Sequence, residues 1–133
     1  MATKSFETEQ DLIREKKAIE RFVSIFKGSF EKLSPDDIDY KIFDKSGTLI
    51  AYVEIVGRLK NISRAYQLPI SISKVSKLWS KRLNPTIIWA CDDGIIYGKL
   101  KDLKGEIRIG SAYDTEPMAY YDKQKALKYI RYV

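Results

Sequence analysis

Apolar and polar positions alternate along the chain in a way that predicts helices and strands in a definite order. From about Glu7 to Phe26, the residues Leu12, Ile19, Phe22, Val23 and Phe26 recur at three- and four-residue steps. That is the stripe of one helix face. Gly28 suits the end of such a helix, and residues 1–6 before it are expected to fray. Two carboxylates interrupt the stripe: Glu15 falls inside it and Glu20 at its edge. A carboxylate on an inward face is unusual. For Glu15 a salt-bridged surface role and a functional one both stay open, whereas Glu20 reads as solvated.

Phe30-Glu31-Lys32-Leu33 then leads to a turn at Ser34-Pro35-Asp36-Asp37. The stretch Asp37 to Lys60 follows, with two apolar runs flanking Asp44-Lys45-Ser46-Gly47. Apolar arms around turn formers predict a β-hairpin. With Lys45 to Thr48 as its loop, Asp39 on one arm faces Glu54 on the other, and both carboxylates share one side of the sheet. Carboxylates that close repel unless a cation lies between them or one is protonated. A hard divalent ion with oxygen ligands is the natural occupant. Charges at strand ends are ordinarily solvated, but Glu54 sits inside Leu49-Ile50-Ala51-Tyr52-Val53 and Ile55-Val56. A charge in such a run is costly to bury unless paired or liganded.

A polar connection through Asn61, Ser63 and Arg64 ends at Pro69. A second helix is predicted from about Ser71 to Leu83, with Ile72, Val75, Leu78, Trp79 and Leu83 inward and Lys74, Lys77, Lys81 and Arg82 beside them. Thr86 to Cys91 reads as a buried strand, Asp92-Asp93-Gly94 as a turn and Ile95 to Leu100 as the partner strand. Glu106 to Ile109 is a short strand, residues 110–114 a loop, Pro117 to Tyr121 a last strand and Gln124 to Arg131 a short helix. The order implies one α/β (α+β) domain over residues 1–133, with a mixed central sheet and helices packed against it.

Composition narrows the chemistry. The 133 residues carry a formal charge of +6 and are 44% hydrophobic, normal for a globular chain. The basic balance favours a polyanionic partner, nucleic acid above an anionic membrane surface. There is no histidine, which removes Ser-His-Asp and Cys-His catalysis and histidine-ligated metals. A single cysteine, Cys91, removes internal disulfides and paired-cysteine zinc sites and reads as a buried thiol. No leader pattern and no bilayer-length apolar run is seen, so a reducing, cytoplasmic location without a membrane is expected.

An Asp on one strand and a Glu on the next, after a helix that carries a Glu, resembles the PD-(D/E)XK nuclease superfamily. The likeness is to its small phage-type and Holliday-junction-resolvase-like members. Glu15, Asp39 and Glu54 in Tyr-Val-Glu-Ile-Val-Gly-Arg carry it. Ile70-Ser71-Ile72-Ser73-Lys74 is similar to the Ser-x-x-Lys that opens the next helix in phage members. Pro85 to Tyr97 and the late Asp114-Thr115-Glu116-Pro117 also match. Each motif is weak alone; their order over most of the chain makes the match fairly specific.

The resemblance implies a restriction-endonuclease-like mixed sheet flanked by helices, and a Mg²⁺- or Mn²⁺-dependent nuclease acting on DNA, branched or structured DNA included. Asp39 and Glu54 would be metal ligands, the carbonyl of Ile55 a third, and Glu15 would hold a metal-bound water or a second ion. Arg58, Lys60, Arg64, Lys74 and Lys77 would contact backbone phosphates. Duplex cleavage needs two sites, so a homodimer is compatible with the resemblance, though no sequence feature requires one. One departure matters: Val56 holds the position of the motif lysine. Either another cation serves, Lys74 being favoured over Arg58, or the chain is a catalytically impaired nuclease fold that binds nucleic acid or serves in phage assembly.

Overall fold

The computed structural model describes residues 8–33, 40–109 and 116–133. The expectations for residues 1–6, the Ser34–Asp37 turn, Asp39 and the 110–114 loop lie outside them. Among the described residues the architecture is mixed α/β, with two sheets and two helices.

The first helix, α1 (Glu9–Ser24), begins where the sequence supplies a cap. The Thr8 hydroxyl accepts from the Asp11 amide at 3.0 Å and Asp11 Oδ2 accepts from the Thr8 amide at 3.2 Å. This reciprocal pair satisfies two amides that a helix start otherwise leaves open. At the other end Lys27, not Gly28, takes the left-handed conformation, with φ +58°. Gly28 serves a different need: a Cβ there would collide with the Phe43 carbonyl and the Phe26 ring. Its small size lets the chain turn directly into β1 (Ser29–Lys32).

The large sheet has the order β1-β2-β3-β5-β6-β9. Its members are β1, β2 (Tyr40–Phe43), β3 (Leu49–Gly57), β5 (Thr86–Ala90), β6 (Gly94–Lys99) and β9 (Lys128–Arg131). β3 and β5 run parallel and the other neighbours antiparallel. A parallel pair needs a long crossover, and that crossover holds β4 (Leu68–Ser71) and α2 (Ile72–Trp79). A smaller sheet joins β4 to β8 (Met118–Tyr121) and β8 to β7 (Glu106–Arg108).

Alternation along β3 divides its side chains between two cores. Val53 and Ile55 join Ala18, Ile19, Phe22 and Val23 of α1 on one face. Tyr52 and Val56 pack on the opposite face, against the cluster that contains Leu78 of α2 and the fully buried Trp89. The Trp89 indole donates to the Pro69 carbonyl at 2.8 Å, which ties the small sheet to the large one.

Several expectations are corrected. Gln124–Arg131 is not a helix: Lys128–Arg131 is the edge strand β9, paired with β6. Pairing along an open sheet edge outweighs a weak local helical pattern. Ser29–Lys32 is a strand rather than a lead into a turn, and Leu68–Ser71 is a strand that the sequence hid behind Pro69. Proline is tolerated there because β4 is an edge strand. Within the predicted helical stripes, Leu12 and Trp79 are exposed, at 42% and 53%. α2 is also shorter than predicted, ending at Trp79 instead of Leu83. No helix among the described residues is long and apolar enough to cross a membrane.

Candidate functional site

Two carboxylates are buried among the described residues, Glu15 and Glu54, at 7% and 5% exposure. They are the two helix and strand carboxylates singled out by their intrusion into apolar runs. Glu20, the other helix candidate, is exposed.

Glu54 is positioned by β3. Tyr40 pairs with Val53, Lys41 with Tyr52 and Ile42 with Ala51, followed by an irregularity at Phe43. This is the register from which the sequence set Asp39 across from Glu54; Asp39 itself lies outside the described residues. The loop lies where expected but is one residue longer, running from Asp44 to Thr48 because Phe43 pairs with Leu49. Asp44 Oδ1 accepts from the Ser46 and Thr48 amides, each at 3.0 Å, and from the Ser46 hydroxyl at 2.7 Å. Gly47 supplies the positive φ, +89°.

Lys74, in the first turn of α2, brings its Nζ to 3.5 Å from Glu54 Oε2. The Ser71 hydroxyl accepts from the Lys74 amide at 3.4 Å and starts that helix. Glu15 has a lysine as well: Lys32 Nζ on β1 lies 2.8 Å from its Oε1. Each buried carboxylate is therefore met by a lysine from another element, and both lysines are about half exposed.

Lys74 and Glu15 line one hollow of about 180 Å³, together with Asp11, Arg14, Ile55, Gly57 and Ala90. Both helices contribute to its wall. Ile55, Gly57 and Ala90 place it at the C-terminal ends of the parallel strands β3 and β5. Asp11, Arg14 and Glu15 reach it because positions three and four apart share one helix face. Arg14 Nη1 pairs with Asp11 Oδ1 at 3.3 Å. Hydrogen bonds from the Thr8 amide and hydroxyl hold the Asp11 carboxyl below its ordinary range, with Arg14 adding to the effect.

The remaining predicted residues divide. Lys60, Arg64 and Lys77 are exposed, the first two in the segment after β3 and the third one turn beyond Lys74 on α2. Arg58 is placed otherwise: its guanidinium donates to the carbonyls of Ala65 at 2.8 Å and Gln67 at 3.2 Å. It pins the loop after β3 instead of pointing a free fork outward. Val56 shares the Glu54 face, as strand alternation requires, and packs on the apolar cluster around Trp89.

Sequence reasoning missed Asp11, Arg14 and Lys32. The first two were legible as the i, i+3 and i+4 companions of Glu15. Lys32 was not, because β1 has no apolar alternation to announce it. Cys91 is buried as expected, and burial pushes its thiol up to about 12. Among the described residues no group of three or more His, Cys, Asp and Glu stands ready for a metal. Compared with known proteins, the chain matches no family model, no curated protein and no solved structure.

Proposed function

We propose that the protein is a divalent-metal-dependent nuclease, an endonuclease-type hydrolase of DNA phosphodiester bonds, with branched or structured DNA among its substrates. One observation carries the reading. Glu54 is buried on an interior strand, and the cation that reaches it, Lys74, also walls the hollow that holds Glu15. Burying a carboxylate costs several kcal/mol before compensation. Lys74 links the two carboxylates: it pairs with Glu54 and lines the hollow that holds Glu15, at the C-terminal end of β3.

The donors are of the kind a hard ion takes: the Glu54 carboxylate, the Ile55 carbonyl and, outside the described residues, Asp39. Bound there, Mg²⁺ or Mn²⁺ supplies positive charge for the phosphoryl oxygens and a more acidic water. The chain's own residues do the rest. Lys74 Nζ sets positive charge beside Glu54, the duty Val56 cannot perform. Its flexible stem suits that reach better than an arginine fork would. Lys32 fixes the orientation of Glu15. Lys60, Arg64 and Lys77 meet backbone phosphates without reading bases. A homodimer on duplex DNA and a cytoplasmic setting, that of the host cell for a phage-encoded chain, belong to the same reading.

A second reading is favoured by Val56. Its place in an apolar cluster, together with the Lys74–Glu54 pair, suits a protein that binds nucleic acid or serves in phage assembly without cutting. Incubation with plasmid, single-stranded and four-way-junction DNA separates the two. The nuclease reading expects cleavage of at least one substrate with Mg²⁺ or Mn²⁺ and none in a chelator. Intact DNA in every case leaves the binding reading.

A further inference from the structure

Trp79 is the last residue of α2, and its indole is 53% exposed. One exposed aromatic side chain needs no explanation. This one lines a hollow of about 330 Å³ together with Ser80, Arg82, Pro85 and Lys101. The lining therefore holds a flat ring, a proline, a hydroxyl and two cations, and no carboxylate.

The wall is fixed in place. The Leu83 carbonyl accepts from the Tyr52 amide at 3.2 Å, and the Pro85 carbonyl accepts from the Leu100 amide at 2.8 Å. Asn84 Nδ2 donates to the Ile50 carbonyl at 2.8 Å. These bonds tie the turn after α2 to β3 and to the segment bearing Lys101. Arg82 itself is held at φ +62°, a conformation that costs a non-glycine residue about 1 kcal/mol or more. It persists because both ends of the turn are anchored, and Arg82 is exposed on the lining it shares with Trp79.

An aromatic ring and two cations on one lining is the composition of a base-stacking platform: the ring takes a base and the cations take flanking phosphates. The geometry points to this hollow as a site for an unpaired nucleobase of a DNA strand, with Arg82 and Lys101 on the flanking phosphates. The identity of the strand rests on the nucleic-acid partner proposed above. Trp79 lies five residues past Lys74 on α2, so it is about 7.5 Å further along the helix axis and turned by about 140°. A stiff duplex does not bend round a helix over that distance. A flexible single-stranded arm does, so the site selects unpaired nucleotides next to the candidate centre.

Fluorescence tests this directly. The chain has two tryptophans, and Trp89 is fully buried, so a ligand-dependent emission change reports Trp79. The full chain is titrated in chelator at low salt with oligothymidylate and with a fully paired duplex. Oligothymidylate should quench the emission, and the duplex should quench it far less. Trp79→Ala should weaken oligothymidylate binding about ten- to a hundredfold and leave duplex binding within about twofold. Trp79→Phe should recover most of the loss. Binding of oligothymidylate without quenching, equal quenching by the duplex, or equal losses for both DNAs overturns the site. Quenching without metal-dependent cleavage upholds the site while the nuclease reading falls, and cleavage without quenching does the reverse. A protein that binds neither DNA removes both.

Discussion

The two faces of the large sheet are covered in opposite ways. On one, α1 runs for 16 residues and buries Ala18, Ile19, Phe22 and Val23. On the other, α2 runs for 8 residues and fully buries only Leu78 among them. The small sheet and the Trp89 cluster cover the rest of that face. Trp89 and Trp79 mark the contrast, one fully buried and the other half exposed. The first face holds the longer run of buried helix side chains and serves stability. The second turns Lys74, Lys77 and Trp79 outward, so a helix of the same protein doubles as a basic surface. The candidate centre sits where the two meet, at the ends of β3 and β5, with a carboxylate from α1 and a lysine from α2 on its wall.

The contrast can be broken most sharply at the two tryptophans. Trp89→Ala should cost about 3–5 kcal/mol, the usual loss for a large core aromatic, and Trp79→Ala should stay within about 0.5 kcal/mol of wild type. Urea denaturation of both variants measures this, and similar losses would erase the distinction between the faces. Next in size is Lys74. Lys74→Ala should lower the cleavage rate about a hundredfold, the scale for removing one charge-stabilising donor, while DNA affinity changes less than about fivefold. Equal losses in single-turnover rate and affinity would reduce Lys74 to a phosphate contact.

A smaller effect concerns the closed interior. Burial raises the folded thiol of Cys91 from 9.0 to about 12. Its contribution is complete below pH 9.0 and is lost as pH rises, because the unfolded chain gives up its proton first. Between pH 8 and pH 10 stability should fall by about 1.4 kcal/mol from this group alone. Tyr132, likewise raised to about 12 by burial, adds to the loss above pH 10. Thermal melts of wild type and Cys91→Ala across that range should diverge. Identical slopes would place the thiol in contact with water.

The sequence made the interior of the fold legible wherever apolar period and turn chemistry agreed. α1, the β2–β3 hairpin and the β5–β6 pair all follow from such agreement. It failed at three of the four edge strands among the described residues, β7 being the one it read. β1, β4 and β9 are edge strands, and their pairing partners, not their own patterns, make them strands. The site divided in the same way. Glu15 and Glu54 announced themselves by breaking apolar runs, and Lys74 by its place after Ser71. Lys32 lay in a segment with no pattern to read, and Arg58 looked like a phosphate contact because no sequence signal reveals two carbonyls waiting for a guanidinium. Trp79 misled for a related reason: its helical phase lies at the rim of the buried face, and the short helix leaves nothing packed over that rim.

Calorimetric titration with Mn²⁺ tests the metal centre most directly, on wild type, Glu54→Ala and Asp39→Ala, each checked for folding by circular dichroism. A saturable heat of binding in wild type that vanishes in both variants is the result expected of a Glu54-centred metal site. A folded wild type that binds no Mn²⁺, or a Glu54→Ala variant that binds it as well as wild type, would contradict that site.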